Sequence, residues 1–321
     1  MTVVAAPSMP PSPAPSQPAG LLIVDKPMGM TSHDVVSKVR RAVGTRRVGH
    51  AGTLDPRATG VLICAVGGAT RLLTYLQAEE KEYEALIVIG EGRLSDDADG
   101  EVTAQPGVAM LRDPQRARTT LIDAAAALTG PIAQVPPQVS AKHVKGRRAH
   151  ALVRAGEQVD LAAVDVRVDQ FRLRSLRWQP ADEHTPETVW AEFTITVSAG
   201  TYIRSLARDL GAAVGSAGHV RDLRRTRAGA WTVADAVPLA QVVTAPPAII
   251  DTAVALRRVM ACHEVDAGTE RALGHGRSVS GPWPAASGQP MALIGPSGGI
   301  AIVRREGEYL RPVTVLPGSG R

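Results

Sequence analysis

The chain has 321 residues, 44% of them hydrophobic, and a formal net charge of +5, with an isoelectric point near 9.5. That length carries one large or two modest domains with a real core, and no run of about 18 apolar residues marks a membrane helix. The two cysteines, Cys64 and Cys262, form no CxxC pair, which argues against a disulfide framework or a metal site and for a reducing cytoplasm.

The start, MTVVAAPSMPPSPAPSQPAG, has neither a basic n-region nor a continuous apolar stretch. Residues 1–19 therefore read as a disordered Pro-rich leader rather than a signal peptide. LLIVDKP reads as a short buried strand ending at Lys26-Pro27. TSHDVVSKVRRAVG predicts a helix capped by Thr31 or Ser32 and stopped at Gly44, with Val35, Val36, Val39 and Val43 as its apolar face. VLICAV is a buried-strand run, and KEYEALIVIG alternates, setting Tyr83, Ala85, Ile87 and Ile89 on one face. After loops over 91–118, RTTLIDAAAALTG reads as a helix and VWAEFTITVS as a strand. AGTYIRSLARDLGAAVG then reads as a helix with Thr201 as its N-cap. The chain loosens at TAPPAII, and the tail holds short β-like pieces, MALIG, GIAIVRR and VTVL, between Gly/Pro loops.

Positive charge is clustered at Arg40, Arg41, Arg46 and Arg47, at Lys142, Lys145, Arg147 and Arg148, and at Arg221, Arg224, Arg225 and Arg227. Three such groups favour a polyanionic partner, nucleic acid above all, over plain solvated faces. SDDADG begins like a calcium loop, but Ser95 and Pro106 stand where the first and twelfth ligands belong. No phosphate-loop or dinucleotide fingerprint occurs, and the histidines are scattered, so neither a cofactor nor a metal is expected.

GHAGTLDPRATG is the stretch with chemical content. Asp55 stands before Pro56 among Gly49, Gly52 and Gly60. Asp-Pro is a favoured helix start, yet Gly60 and an apolar run leave room for about one turn only. Pro56 biases Asp55 towards extended backbone, fixing where its side chain leaves the chain. From these residues alone, cap and active-site carboxylate stand even. Arg204 lies in the first turn of its helix, where positive charge opposes the macrodipole; a carboxylate facing it would account for that. Tyr83 is one of four tyrosines, and flipped bases need an aromatic or apolar face to stack on.

Six segments in order, LLIVDKPMGMTSHDVVSKVRR, GHAGTLDPRATGVL, KEYEALIVIG, QVPPQVSAKHVKGRRAHALVRAG, SAGTYIRSLARDLG and HVRDLRRTRAG, resemble the motifs of the bacterial tRNA pseudouridine-55 synthases, the TruB family. The resemblance runs from about residue 20 to 240. The tail, with ALGHGRSVS and EYLRPVTVL, resembles a shortened PUA-type RNA-binding domain. It implies an α+β fold, with a mixed, largely antiparallel sheet flanked by helices over 20–245 and a small β-rich PUA-like domain over 246–321. It further implies Asp55 as catalytic nucleophile and Arg204 as its partner. Tyr83 would stack on the uracil, His50 would fill the T-loop stack, and Tyr202 and Leu223 would line the uridine pocket. Lys26, in the matching DKP, joins the substrate-binding set. Val139 and His150 stand where the family often has tyrosine, and the 91–100 loop lacks its usual threonines; these bear on RNA preference. The implied activity is isomerisation of the T-loop uridine of tRNA, without cofactor, metal or membrane, by a cytoplasmic monomer. A tRNA-binding or folding chaperone without turnover is the rival.

Overall fold

The computed structural model describes residues 19–318 apart from 78–79, 140–142, 145–146, 149–160, 184, 246–247, 282 and 284–287. The leader to residue 18, Lys142, Lys145 and His150 lie outside the described residues, and of Arg147 and Arg148 only the backbone is described.

Strand β1 (Gly20–Lys26) is followed by helix α1 (Ser32–Ala42). Thr31 caps α1 in a reciprocal box: its Oγ1 accepts from Asp34 N at 3.1 Å, while Asp34 Oδ2 accepts from Thr31 N at 2.9 Å. Gly44, at φ +68°, follows the helix end. Then come β2 (Val48–Ala51), β3 (Thr59–Val66) and β4 (Lys81–Ile89). Helix α2 (Pro114–Ala127) starts earlier than its apolar pattern predicts, because Asp113 caps it and Pro114 suits its first turn. Strands β5 (Gly130–Gln134), β6 (Val164–Gln179) and β7 (Thr188–Val197), helix α3 (Ile203–Ala213) and strand β8 (Gly218–Ala228) complete the large sheet and its helices.

The main strands of that sheet run β1-β3-β8-β4-β7-β6-β5. Neighbours are antiparallel except β3 and β8, which pair in parallel with Thr59 opposite Arg224 and Gly60 opposite Arg225. Two antiparallel halves thus meet at one parallel seam, and the loop carrying Asp55 enters β3 there. One core, with Leu22, Val24, Leu62, Tyr83, Ile87, Phe193, Ile195 and Leu206, lies between the sheet and the helices. β1 and β3 send alternate residues (Leu21, Ile23, Val61, Ile63) into a second core. Being covered on both faces explains why both strands read as unbroken apolar runs.

That second core is closed by helix α4 (Thr252–Val259) and the C-terminal sheet. After helix α5 (Ala267–Gly274) come β9 (Met291–Ile294), β10 (Ile300–Glu306) and β11 (Tyr309–Leu316). They make a five-stranded sheet with Cys262–Glu264 and Val279–Ser280 at its edges. Ile250–Asp251 pairs with β1, so the chain beyond 245 shares a core with the large sheet.

Candidate active site

The 52–58 loop is held by its main chain, which leaves one side chain to act. Arg225, fully buried on β8, donates from Nη2 to Gly52 O at 2.9 Å and from Nε to Val61 O at 2.8 Å. Ser32, the first residue of α1, accepts from Leu54 N at 2.9 Å and donates to Leu54 O at 3.1 Å. Pro56 O accepts from Gly29 N at 2.9 Å and from Lys26 Nζ at 3.1 Å. Asp55 O accepts from Ala58 N at 3.1 Å, closing a single turn; no helix follows. Asp55 is therefore not a helix cap.

Its carboxylate faces Arg204 of α3. Arg204 Nη2 donates to Asp55 Oδ1 at 3.2 Å, and Nε lies 2.9 Å from Oδ2. The carboxylate keeps 37% of its surface exposed while the guanidinium keeps 8%. Arg204 Nη1 donates to Ser95 O at 2.9 Å and to Val139 O at 3.0 Å, and stands 3.5 Å from Asp97 Oδ2. A buried cation at a helix N-terminus is thus offset by two carboxylates and two carbonyls. One turn on, Arg208 donates to Asp96 Oδ2 at 3.1 Å and to Val135 O at 2.9 Å. Burial pushes the Asp96 carboxyl up to about 6 against the pull of Arg208. Two of the SDDADG carboxylates, Asp96 and Asp97, serve these arginines and the third, Asp99, pairs with Arg57 at 3.0 Å, roles the sequence left unmarked.

Leu223 of β8 lines the same pocket as Asp55, Asp97, Arg204 and Arg221. Its open volume is about 10 Å³, room for roughly one water. Tyr83 is buried in the core that holds Leu54 and Ala58, the neighbours of the Asp55 turn. Tyr202, not Thr201, caps α3, and no side chain caps it. Thr201 Oγ1 instead turns back to Ser198 O at 3.0 Å, and Gln134 of β5 bonds Tyr202 at both N (2.8 Å) and O (3.1 Å). Nothing in the sequence singled out Gln134. His50 on β2 meets His33 edge to face at 5.5 Å. Its buried Nδ1 has no hydrogen-bond partner among the described residues. Burial lowers its pKa, so the ring is neutral near pH 7.

Lys26, expected in the substrate-binding set, lies beneath the loop. Its side chain is fully buried, and Nζ donates to Pro27 O, Met30 O and Pro56 O at 3.0, 2.7 and 3.1 Å. Burial lowers its pKa to about 8 although the charge of Asp55 pulls the other way. The ammonium group braces the loop from beneath and presents no surface to a ligand. The third basic cluster is also largely committed within the protein. Arg224 pairs with Asp25 at 2.8 Å, Arg227 with Glu80 at 2.6 Å, and Arg225 holds the loop. Arg221 remains exposed.

The site is thus a pinned loop that presents an arginine-bound aspartate at the parallel seam of a mixed sheet. The TruB family pseudouridylate synthase N-terminal domain matches residues 40–203, and the tRNA pseudouridylate synthase B C-terminal domain matches 204–265. A tRNA pseudouridine synthase B from Thermobifida fusca is 45% identical over 94% of this chain and 99% of its own length. Its counterpart from an Arthrobacter species is 43% identical over 93% and 96%. Among solved structures, an H/ACA ribonucleoprotein bound to a substrate RNA containing 2′-deoxyuridine superposes with TM-score 0.63 at 22% identity, over 93% of this chain and 85% of that one. A Cbf5–Nop10–Gar1 complex gives 0.64 at 23%, over 93% and 85%. The chain belongs to the TruB family of pseudouridylate synthases.

Proposed function

We propose that this chain converts the T-loop uridine of tRNA, position 55, to pseudouridine with Asp55 as nucleophile. The observation that carries the reading is the Asp55 carboxylate, aimed into a pocket from a loop whose backbone is held at Gly52, Leu54 and Pro56 and whose charge is met by Arg204. The name shared by the relatives, tRNA pseudouridine synthase B, supports tRNA as the substrate.

The reaction breaks the bond from N1 of uracil to C1′, turns the base, and joins C5 to C1′. C5 gives up a proton and N1 ends with one, so atoms balance without a donor or an oxidant. Addition of Asp55 to C1′ or to C6, and a glycal route, all use the carboxylate as an anion within reach of the sugar and base. Arg204 holds it aimed through contacts to both of its oxygens. Tyr83 supplies the ring on which the uracil stacks, while Tyr202 and Leu223 bound the pocket. His50, neutral and with Nδ1 unpaired, takes the gap left in the T-loop stack. Extruding the base costs a few kcal/mol, offset by stacking and phosphate contacts. The reading makes the enzyme a monomer in the cytoplasm, a location in keeping with two free cysteines.

The test compares wild type with Asp55→Asn on an unmodified tRNA transcript, scoring T-loop pseudouridine and binding in parallel. Wild type should form pseudouridine, and the variant should bind and form none. If both bind and neither modifies, the chaperone reading replaces this one.

A further inference from the structure

Trp190 of β7 points away from the helix-covered core, whose residues on that strand are Val189, Ala191, Phe193, Ile195 and Val197. On that open face it stands between two guanidinium groups, Arg177 Cζ at 4.8 Å and Arg221 Cζ at 4.2 Å from the ring centroid. Arg177 is the direct partner of Trp190 on β6. Arg221 comes from β8, on the other side of β7 with β4 between. The two cations therefore reach the indole from opposite sides, and the three side chains form a ladder across the strands.

Arg221 is the residue at the β8 bulge, where pairing skips from Val220 to Asp222, and a bulge re-aims a side chain. It lines the pocket beside Asp55 and Arg204, and its side chain is 45% exposed. The carboxylate paired with it among the described residues, Asp222 Oδ2, is 4.0 Å from Nε, too far for a hydrogen bond. Drawing two like charges to one half-buried ring sets them in mutual repulsion. An anion at the ladder's edge would cancel it. A stacked guanidinium still presents its N–H edge in the fork that matches a phosphate.

We propose that the Arg177–Trp190–Arg221 ladder is a substrate-binding element. Arg221 grips a phosphodiester of the RNA strand beside the nucleotide turned into the Asp55 pocket, and Trp190 and Arg177 hold that guanidinium in place. The proposal rests on the tRNA reading above.

The test measures tRNA affinity of the full chain across a salt series, with the single-turnover rate at saturating RNA. Arg221→Ala should bind roughly tenfold more weakly, the loss expected of one charge-assisted contact. The slope of log affinity against log salt should be shallower by about 0.7–0.9. Trp190→Ala should show part of both losses, and Trp190→Phe, which keeps a ring, should show little of either. The saturated rate, read alongside, separates a loss of affinity from a loss of turnover. Wild-type affinity and slope in Arg221→Ala would overturn the proposal, as would a lowered melting temperature as the sole effect of Trp190→Ala. Failure of the wild type to form pseudouridine while it binds tRNA would sink the isomerase reading alone, because the salt slope reports phosphate contact independently of turnover.

Discussion

Replacing Lys26 with methionine keeps the length and apolar stem of the side chain and removes its charge and donors. Three hydrogen bonds from an ammonium group to Pro27 O, Met30 O and Pro56 O are lost. At about 1.5–3 kcal/mol each they total about 4.5–9 kcal/mol. Burial, which brings the lysine from 10.5 to about 8, opposes them by about 3 kcal/mol. The expected net loss of stability is therefore about 1.5–6 kcal/mol. Urea unfolding of both proteins at pH 7 reads it directly. Because Pro56 adjoins Asp55, turnover should fall as well, whereas tRNA affinity should hold within about twofold, since the ammonium group has no exposed surface. Unchanged stability with clearly weakened tRNA binding would refute this reasoning and make Lys26 a substrate contact.

Gly60→Ala places a Cβ against the carbonyl oxygen of Arg225 at a φ of +101°; a loss of more than about 2 kcal/mol is expected in urea unfolding. Gln134→Leu removes the acceptor for Tyr202 N and one of the donors to Tyr202 O, which Leu206 N also reaches, at the start of α3; this should cost about 1–3 kcal/mol and lower turnover through Arg204. Asp96 titrates near 6 in the folded protein, above its ordinary 3.8, chiefly through burial. The folded state then holds more protons than the unfolded one between about pH 4 and 6, so this group subtracts stability as pH rises through that window. Asp96→Asn, which tolerates the left-handed backbone at φ 57°, should remove that slope when unfolding is followed from pH 4.5 to 7.

Local patterns carried far along this chain. The cap at Thr31, the stop at Gly44, and the two-residue alternation from Tyr83 to Ile89 all depend on neighbours within a few residues, and the structure forms each of them. The motif residues Asp55 and Arg204 were legible through resemblance; the residues themselves left Asp55 even between cap and catalyst. Thr201 looked like a cap because its type and place suit one, but Ser198 O captures its hydroxyl and Gln134, 68 residues earlier, holds the next residue. Arg224, Arg225 and Arg227 looked like one basic surface, yet successive strand residues face different partners: a carboxylate on β1, the carbonyls of the Asp55 loop, and Glu80.

By itself the sequence determined strands β1, β3, β4 and β7 and helices α1, α2 and α3, with the apolar side chains they turn to a core, because short-range periodicity and capping set these. Tertiary structure alone decided that β3 and β8 run parallel at the seam, that Lys26 and Arg225 spend their charges on loop carbonyls, and that Asp97 shares Arg204 with Asp55. The partners of a buried polar group must be found wherever the fold brings them, and here they come from up to 173 residues away.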